Sequence, residues 1–566
     1  MFIYLKKNVA ILLLILVAFI VYMVTIIPSG SHYCFNNLCG VYFWGAHGHD
    51  AIWHLGVAAV SFNHFPFIAP TFAGATLGSY NYLLDLVLFI FSKIGVSVMV
   101  LYFKILPVVW FGLLTYLLLK LSRKIHDSAL FVFIFLFFMY FSGSFSYVIS
   151  FIHNRTIWGS SGLLSMQPLL SLTNLQFAFS IAILSSLLIL IKNEKTDYVH
   201  SVLLSILVVL NLALKFYAGV ISFFLVALYF TFVVFKSKRI ASYFKNISLL
   251  IVLSLIVIIL FYRPGNLSTG GPPLIYSPFS TVYPLIEDRN LFYLKDMTNA
   301  RYFLDNLDKF SPRLLIINVK ILSLFLLLNF GTRIIGIVYI GIQIFTKKLS
   351  QFELIVFLTT VFTMLLNILF IQKGVWWNTV QFSYYAFFLS NIFAAQFIYM
   401  IFKKSQLFGV LLTCFVIVLT VPTSLDVIKT FTERPGHTYL PREEEKALKF
   451  LKRQPEGIVF SPLPSGINNQ SSKQTPLSSL GDSSYITAFS GKQSFIADEI
   501  QLLLTGVNYQ KRKISGQSWN CTTIRKVRYL YELNNSPIGD KLDACKGELK
   551  RIYSNSTVTI YRVSQF

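Results

Sequence analysis

Long apolar runs separated by short polar stretches dominate the first 425 residues of the chain. Each run is roughly 17 to 24 residues long, the length at which a helix crosses the hydrocarbon core of a bilayer. The pattern therefore predicts about eleven transmembrane helices. The runs occupy residues 8–28, 98–121, 128–150, 172–191, 198–214, 217–235, 244–262, 323–346, 352–371, 381–402 and 406–424.

Clusters of basic residues between these runs predict how the chain is oriented, because cytoplasmic loops of multispanning proteins are enriched in Lys and Arg. All clusters fall on one side only if residues 80–95, YNYLLDLVLFIFSKIG, do not cross, so we interpret this segment as an interfacial or re-entrant helix. The amino terminus is then cytoplasmic, and loops 29–97, 151–171 and 263–322 lie outside with everything after residue 425. The clusters are Lys6/Lys7, Arg123/Lys124, Lys192/Lys195, Lys236 to Arg239, Lys347/Lys348 and Lys403/Lys404.

Composition agrees with a membrane protein and accounts for its positive charge. The chain of 566 residues is 55% hydrophobic and only 13% charged, whereas soluble domains carry roughly 25% charged residues. A formal net charge of +24 also suits nucleic-acid binding, but Lys and Arg lie mainly between apolar runs, where they orient a multispanning protein. The first run lacks an A-x-A cleavage site, so we interpret it as a retained span. We expect a multi-pass protein of the cell membrane without a nucleic-acid partner.

From residue 426 onward the pattern becomes that of a soluble domain. The stretch RPGHTYLPREEEKALKFLKRQPEG predicts an amphipathic helix with acidic residues in its first turn and basic residues towards its end. Short strand candidates follow, namely GIVFSPL, KVRYLYEL and STVTIYRV, separated by Gly, Ser, Pro and Asn. Residues 426–566 therefore predict a small extracytoplasmic α/β domain after a transmembrane domain that comprises residues 1–425.

The five cysteines divide between these regions. Cys34 and Cys39 share the first outer loop, Cys521 and Cys545 share the tail domain, and Cys414 lies inside the last span. In an oxidising compartment the four outer cysteines can form two disulfides. Free buried thiols are the alternative, since spacing alone does not fix the pairing.

Histidines are concentrated near one carboxylate, Asp50, in the stretch HGHDAIWH. If a helix starts near His47, then His47, Asp50 and His54 share one face, because they are three and four residues apart. A carboxylate beside imidazoles can act as a general base, or can join them in holding a divalent metal ion. The alternative is a solvated helix start in which Asp50 is the cap and the histidines lie at the membrane interface.

The same region resembles the start of the GT-C superfamily of polytopic glycosyltransferases. The likeness rests on GHDAIWH, FPFIAPTFAG and SYNYLLDLVLFIFSKIG, within residues 44–95. Such enzymes, mannosyltransferases and arabinosyltransferases among them, take a sugar from a polyprenyl-phosphate carrier and transfer it on the outer face of the membrane. The resemblance implies that Asp50 is the catalytic base or a metal ligand, with His49 and His54 beside it, and that residues 80–95 form a juxtamembrane helix.

The second outer loop departs from the family pattern. Many members carry another acidic residue there, but FIHNRTIWGSSG contains none. The absence of a second carboxylate favours Asp50 as a general base that acts without a metal ion. The alternative is a divalent ion bound by His47, Asp50 and His54. Arg155 in this loop suits a phosphate, because its planar guanidinium can bind two oxygens.

Other polar residues near the outer membrane edge are candidate substrate contacts. Lys215 and Arg263 suit a lipid phosphate, since a cation in the membrane is costly without an anion, although both are also explained as snorkelling or anchoring residues. Residues 372–385, QKGVWWNTVQFSYY, suit a sugar, whose apolar faces stack on rings while its hydroxyls bond to amides. Interfacial aromatics are also expected in any membrane protein. The candidate sugar contacts are Trp376, Trp377, Asn378 and Gln381.

The sequence thus predicts an extracytoplasmic glycosyltransferase in which Asp50 deprotonates the acceptor and cations stabilise the departing lipid phosphate. Expected partners are a polyprenyl-phosphate-linked sugar, a glycan, lipid or protein acceptor, and membrane lipids. One alternative is a lipid-linked glycan transporter or flippase, for which charges along an intramembrane path would be diagnostic. Another alternative is a membrane-anchored glycan-binding protein in which the tail domain binds the glycan.

Overall fold

The computed structural model describes residues 2–158, 168–194, 197–237, 240–262, 274–307, 311–462, 474–480, 483–534 and 545–564. Arg263, predicted as a phosphate contact, lies outside the described residues.

Helices make up most of the chain before residue 433. The first half contains α1 (Phe2–Ile26), β1 (Ser31–Phe35), β2 (Leu38–Phe43), α2 (Asp50–Val60), α3 (Leu83–Lys93), α4 (Val98–Ile125), α5 (Ala129–Phe141), α6 (Ser146–Asn154), α7 (Leu175–Lys192) and α8 (Tyr198–Leu214). The second half contains α9 (Phe216–Ser237), α10 (Ile240–Val257), β3 (Leu274–Tyr276), α11 (Pro284–Glu287), α12 (Lys295–Asp305), α13 (Pro312–Phe330), α14 (Ile335–Phe345), α15 (Gln351–Leu369), β4 (Phe370–Gln372), α16 (Val380–Lys404) and α17 (Gln406–Thr432).

The predicted polytopic helical fold is confirmed. In the described ranges nine helices are long and apolar enough to cross a membrane, with α13 and α14 counted as one, and the pair α5 and α6, bent by 50°, adds a tenth. The apolar helix α8 has 17 residues and is shorter than these. Together they account for the apolar runs of the sequence. Helix α3 has 11 residues, too few to cross, in agreement with its interpretation as an interfacial helix.

Local sequence determines where several helices begin. The Asn174 side chain accepts a hydrogen bond from the backbone N–H of Phe177 at 3.0 Å and caps α7. Ser350 and Glu353 form a reciprocal capping box at the start of α15, and Pro312 lies in the first turn of α13. Each residue satisfies or removes an amide that has no partner within its helix.

The tail is a small mixed α/β structure, as predicted. It contains β5 (Thr438–Pro441), α18 (Arg442–Lys452), β6 (Val459–Phe460), β7 (Thr475–Pro476), α19 (Tyr485–Ser490), α20 (Glu499–Leu504), α21 (Gln510–Gln517), α22 (Cys521–Ile524), β8 (Tyr529–Leu533), β9 (Leu549–Ser554) and β10 (Val558–Val563). One four-stranded sheet has the order β6-β8-β10-β9. The last long helix, α17, continues through residue 425, the boundary predicted from composition, and ends at Thr432.

The tail and the first outer loop form one continuous structure. Strand β2 pairs antiparallel with β5, with Gly40 opposite Pro441, and the resulting sheet has the order β1-β2-β5-β7. A Cβ atom on Gly40 would lie 2.1 Å from the carbonyl oxygen of Leu440, so only glycine permits this approach of the two backbones. The tail is therefore fixed against the loop that carries Asp50.

Both cysteine pairs that the sequence left open form disulfides. Cys34 bonds to Cys39 across the β1–β2 hairpin, and Cys521 bonds to Cys545 in the tail. Cys414 is a free cysteine on α17. The disulfides lie in the two regions that meet at the β2–β5 pairing, which places both on the same side of the helical body.

Candidate active site

Asp50 is positioned by α2, a largely buried helix of the first outer loop that packs against α19 of the tail. A 3-10 turn at Gly45–Gly48 precedes it, so the helix begins at Asp50 and not at His47. A carboxylate in the first turn is favoured by the helix dipole. Trp53 and Val57 of α2 are buried, and this packing holds the helix while Asp50 lines a cavity.

The cavity has a volume of about 620 Å³, within the range of small-molecule sites. Segments far apart in the sequence form its wall: α2, residues 79–81, the start of α7, the junction of α8 and α9, residues 372–381, and α20 of the tail. Most of the residues predicted to form the site meet here. They are His49, Asp50, His54, Lys215, Trp377, Asn378 and Gln381.

The Asp50 carboxylate is partly open, its side chain being 43% exposed. His49 Nδ1 lies 3.3 Å from Asp50 Oδ1. Partial removal of the carboxylate from water raises the pKa of Asp50. The hydrogen bond from His49 and the nearby charges of His49, His54 and Lys215 have a larger, opposite effect, so the pKa lies below its ordinary value. Asp50 is therefore an ionised group that a ligand in the cavity can reach.

His54 is held by a buried carboxylate that the sequence analysis did not single out. His54 Nδ1 lies 2.9 Å from Asp85 Oδ1, and the two side chains are 2% and 0% exposed. Gln176 Nε2 donates to the second oxygen of Asp85 at 3.2 Å. Burial raises the pKa of Asp85, and the charges of His54 and Lys215 oppose that shift. The available sequence signal was one Asp within the otherwise apolar run LLDLVLFIF of α3.

His47 does not join Asp50 and His54 in a metal site. Its Nδ1 lies 2.8 Å from Ser29 Oγ and its Nε2 lies 3.3 Å from the Leu172 carbonyl oxygen. Burial lowers the pKa of His47 to about 4, so the ring is neutral. Nowhere in the described part of the chain do three His, Cys, Asp or Glu side chains converge as metal ligands. The residues present therefore do not fit a divalent ion held by His47, Asp50 and His54.

Lys215 brings a cation into the cavity wall. It lies between α8 and α9, is 8% exposed and lines the cavity. Burial lowers the pKa of Lys215 to about 8, and the charges of Asp50 and Asp85 limit the shift. The start of α7 at Asn174 lines the same cavity, and a helix amino terminus also favours an anion. These features give the cavity a positive region.

Residues 372–381 provide a row of hydrogen-bonded amides beside a ring. The Tyr217 hydroxyl donates to Gln372 Oε1 at 2.7 Å, and Asn378 Nδ2 donates to the same oxygen at 2.7 Å. Gln381 donates in turn to Asn378. The Trp377 ring lines the cavity next to them. A planar ring with adjacent fixed amides is suited to a sugar, which presents apolar faces and hydroxyl groups.

Two predicted substrate contacts, Arg155 and Trp376, lie in the described part of the chain but not in the cavity wall. Arg155 is exposed and ends α6 with a φ of 54°, and Trp376 is 39% exposed. Neither belongs to the described residues that line the cavity. Arg263 lies outside the described residues. Of the two described cations that were predicted to bind phosphate, Lys215 lies in the cavity wall and Arg155 does not.

The tail forms part of the cavity wall, which the sequence analysis did not predict. Ile500, Gln501 and Leu504 of α20 line the cavity. Asp498, the N-cap of α20, is 2% exposed, and its Oδ1 lies 4.0 Å from His49 Nε2. His49 thus lies between a carboxylate of the first outer loop and one of the tail. A six-residue helix without a motif gives no sequence signal of this contact.

No family model matches the sequence, and the search of curated proteins gave no match. Solved structures do match. The chain is similar to the apo crystal structure of the Archaeoglobus fulgidus oligosaccharyltransferase, with a TM-score of 0.50, 12% identity, and coverage of 98% of this chain and 74% of that chain. It is also similar to the archaeal oligosaccharyltransferase AglB from Archaeoglobus fulgidus in complex with an inhibitory peptide and a dolichol-phosphate, with a TM-score of 0.50, 11% identity, and coverage of 96% and 71%. At these identities the likeness shows the fold.

Proposed function

The chain has the GT-C fold of polytopic membrane glycosyltransferases, and from this premise we propose that it transfers a sugar from a polyprenyl-phosphate carrier to an acceptor at the outer face of the cell membrane. One observation carries the proposal. A single cavity gathers an open carboxylate at Asp50, a buried ammonium at Lys215, and a wall of ring and amides at residues 372–381.

The lipid-linked donor is bound through its phosphate and its chain. Lys215 and the amino terminus of α7 attract the phosphate. Phe216, Ile258 and Tyr262 line the same cavity, and only 17% of the span Phe244–Tyr262 is buried in the protein. This side of the cavity therefore opens towards lipid, where a polyprenyl chain is soluble. The neighbouring AglB structure, solved with a dolichol-phosphate, supports a donor of this class.

The sugar lies against Trp377, Asn378 and Gln381, and the acceptor enters from the side of α20. Asp50 removes the proton of the acceptor group as that group attacks the anomeric carbon. The bond from the anomeric carbon to the phosphate oxygen breaks, and its electron pair stays on the lipid phosphate, whose charge Lys215 stabilises. The inhibitory peptide in the AglB structure supports an acceptor site in this fold.

The outer face is the location that suits both disulfides. Disulfides persist in oxidising compartments outside the cytoplasm, and Cys34–Cys39 and Cys521–Cys545 lie in the two regions that the β2–β5 pairing joins. The basic clusters of the sequence place the opposite side of the helical body in the cytoplasm.

A transfer assay tests this function. Purified full-length protein is incubated with a panel of polyprenyl-phosphate sugars, mannose and arabinose among them, and release of polyprenyl phosphate is measured with and without added glycan, lipid and peptide acceptors. We expect release from one donor, and its loss in Asp50→Asn. Movement of intact donor across a liposome membrane without cleavage of the sugar–phosphate bond would instead identify a flippase.

A further inference from the structure

The pair of His54 and Asp85 is not explained by stability. Burying a carboxylate is costly even when it is paired, and apolar side chains of similar size usually stabilise a core as well as a buried ion pair does. Asp85 is 0% exposed in a helix whose neighbouring residues are apolar. Packing alone therefore gives no reason for a carboxylate at this position.

The contacts of His54 place its Nε2 edge beside Asn174, at the start of α7 in the cavity wall. Asp85 of α3 holds Nδ1 at 2.9 Å, and the Tyr102 ring of α4 stacks on the imidazole. The Tyr80 hydroxyl lies 3.4 Å from Nδ1. Nε2 lies 3.5 Å from the Asn174 amide nitrogen, at the start of α7.

Two charged groups complete this environment. Asp50 precedes His54 by one helical turn on α2, so their side chains are neighbours. Lys215 acts on both Asp50 and Asp85 through its charge. His54 therefore lies between the proposed base and the positive region that would hold the phosphate.

We propose that His54 gives a proton to the departing lipid phosphate and that Asp85 is a positioning residue, which fixes the orientation of the imidazole ring. The inference rests on the proposed transferase function. As the bond between the anomeric carbon and the phosphate oxygen breaks, that oxygen keeps the electron pair and takes the proton from His54 Nε2. The acceptor proton passes to Asp50, and its later transfer to His54 restores both groups. The net change moves one proton from acceptor to phosphate.

Isosteric variants test this role. We expect His54→Gln and Asp85→Asn each to lower kcat by about 100-fold or more, as loss of a proton-transfer group does, with little change in KM for the donor. Because Asp85 acts through His54, the double variant should be no slower than His54→Gln alone.

An exposed pair provides the matched control. His64 Nε2 lies 2.7 Å from Glu456 Oε1 at the surface, and His64→Gln should leave kcat and KM unchanged. Thermal unfolding and donor binding, measured with the polyprenyl-phosphate sugar that the wild type cleaves, show whether each variant is folded. A folded Asp85→Asn enzyme with a wild-type kcat, or additive losses in the double variant, would overturn the inference. A wild-type protein that cleaves no donor would instead refute the transferase function itself.

Discussion

Asp50 is ionised and open to the cavity, although it starts a helix that is otherwise buried. Asp50→Asn keeps the side-chain shape and can still act at a helix start, but it cannot accept a proton in the same way. We expect a folded variant whose transfer rate falls on the order of a hundredfold to ten-thousandfold. Rates with saturating donor, together with an unchanged melting curve, measure this. Full activity would remove Asp50 from the reaction.

The position of Lys215 predicts that donor binding depends on pH. Burial lowers the pKa of Lys215 to about 8, so the ammonium is fully present below that pH and is lost as the pH rises through it. Donor affinity should therefore weaken as the pH rises above about 8, by a total of about 1 to 3 kcal/mol, the loss expected when the charge is removed. In Lys215→Arg the decline should disappear, because guanidinium stays charged. Donor binding from pH 6 to 10 tests this, and an identical decline in both proteins would contradict it.

Removal of the Lys215 charge tests the same contact at constant pH. Lys215→Gln should weaken donor binding by about 1 to 3 kcal/mol if the ammonium makes a charge-assisted hydrogen bond to phosphate. Arg155→Gln is the matched control, since Arg155 is exposed and does not belong to the described residues of the cavity wall. Equal weakening in both variants would point to a general charge effect.

The site residues that sequence reasoning found share a visible local signal. Asp50 lies among histidines, Lys215 interrupts an apolar run, and Trp377 lies beside amides. Asp498 has no such signal, and Asp85 has only that of a single Asp in an apolar run. Their partners, His49 and His54, belong to other segments, so the contacts arise only on folding. For His47 the local signal was misleading. The helix begins at Asp50 and not at His47, so His47 does not share a helix face with Asp50 and His54 as predicted.

At the scale of elements, Gly40 controls the junction between the first outer loop and the tail. A Cβ in Gly40→Ala would meet the Leu440 carbonyl oxygen of β5 at 2.1 Å, and such overpacking typically costs about 1 to 3 kcal/mol. We expect the tail to detach more readily, seen as faster proteolysis after Thr432 and a lower melting temperature. Gly112→Ala in α4 has open space around the new Cβ and should change neither.

The long helices and the interfacial helix α3 were predictable because a membrane imposes a minimum apolar length and a charge bias on each loop. The register of β2 against β5 was not, because both strands are short and their partner choice depends on tertiary contacts. The same limit applies to α20, whose place in the cavity wall follows from how the tail docks.

At the scale of the whole molecule, the β2–β5 pairing requires the first outer loop and the tail to share one side of the membrane. A reporter fused after Thr432, where α17 ends, should be active only outside the cytoplasm. A cysteine placed at Lys124 should react with an impermeant reagent only after the membrane is permeabilised. Cytoplasmic reporter activity would place Asp50 on the wrong side for a donor at the outer face.

The β2–β5 pairing also imposes an order on biogenesis. Strand β2 is synthesised about 400 residues before β5. Because ribosomes add roughly 5 to 20 residues per second, the edge of β2 that pairs with β5 stays unpaired for roughly 20 to 80 s. An open strand edge is a template for aggregation. The Cys34–Cys39 hairpin can close as soon as it is translocated, which keeps β1 and β2 together during that wait. The cavity that Asp50 lines is thus completed last. A nascent chain released before Thr438 would carry every membrane span found in the described residues and would still present an unpaired strand edge to chaperones and proteases.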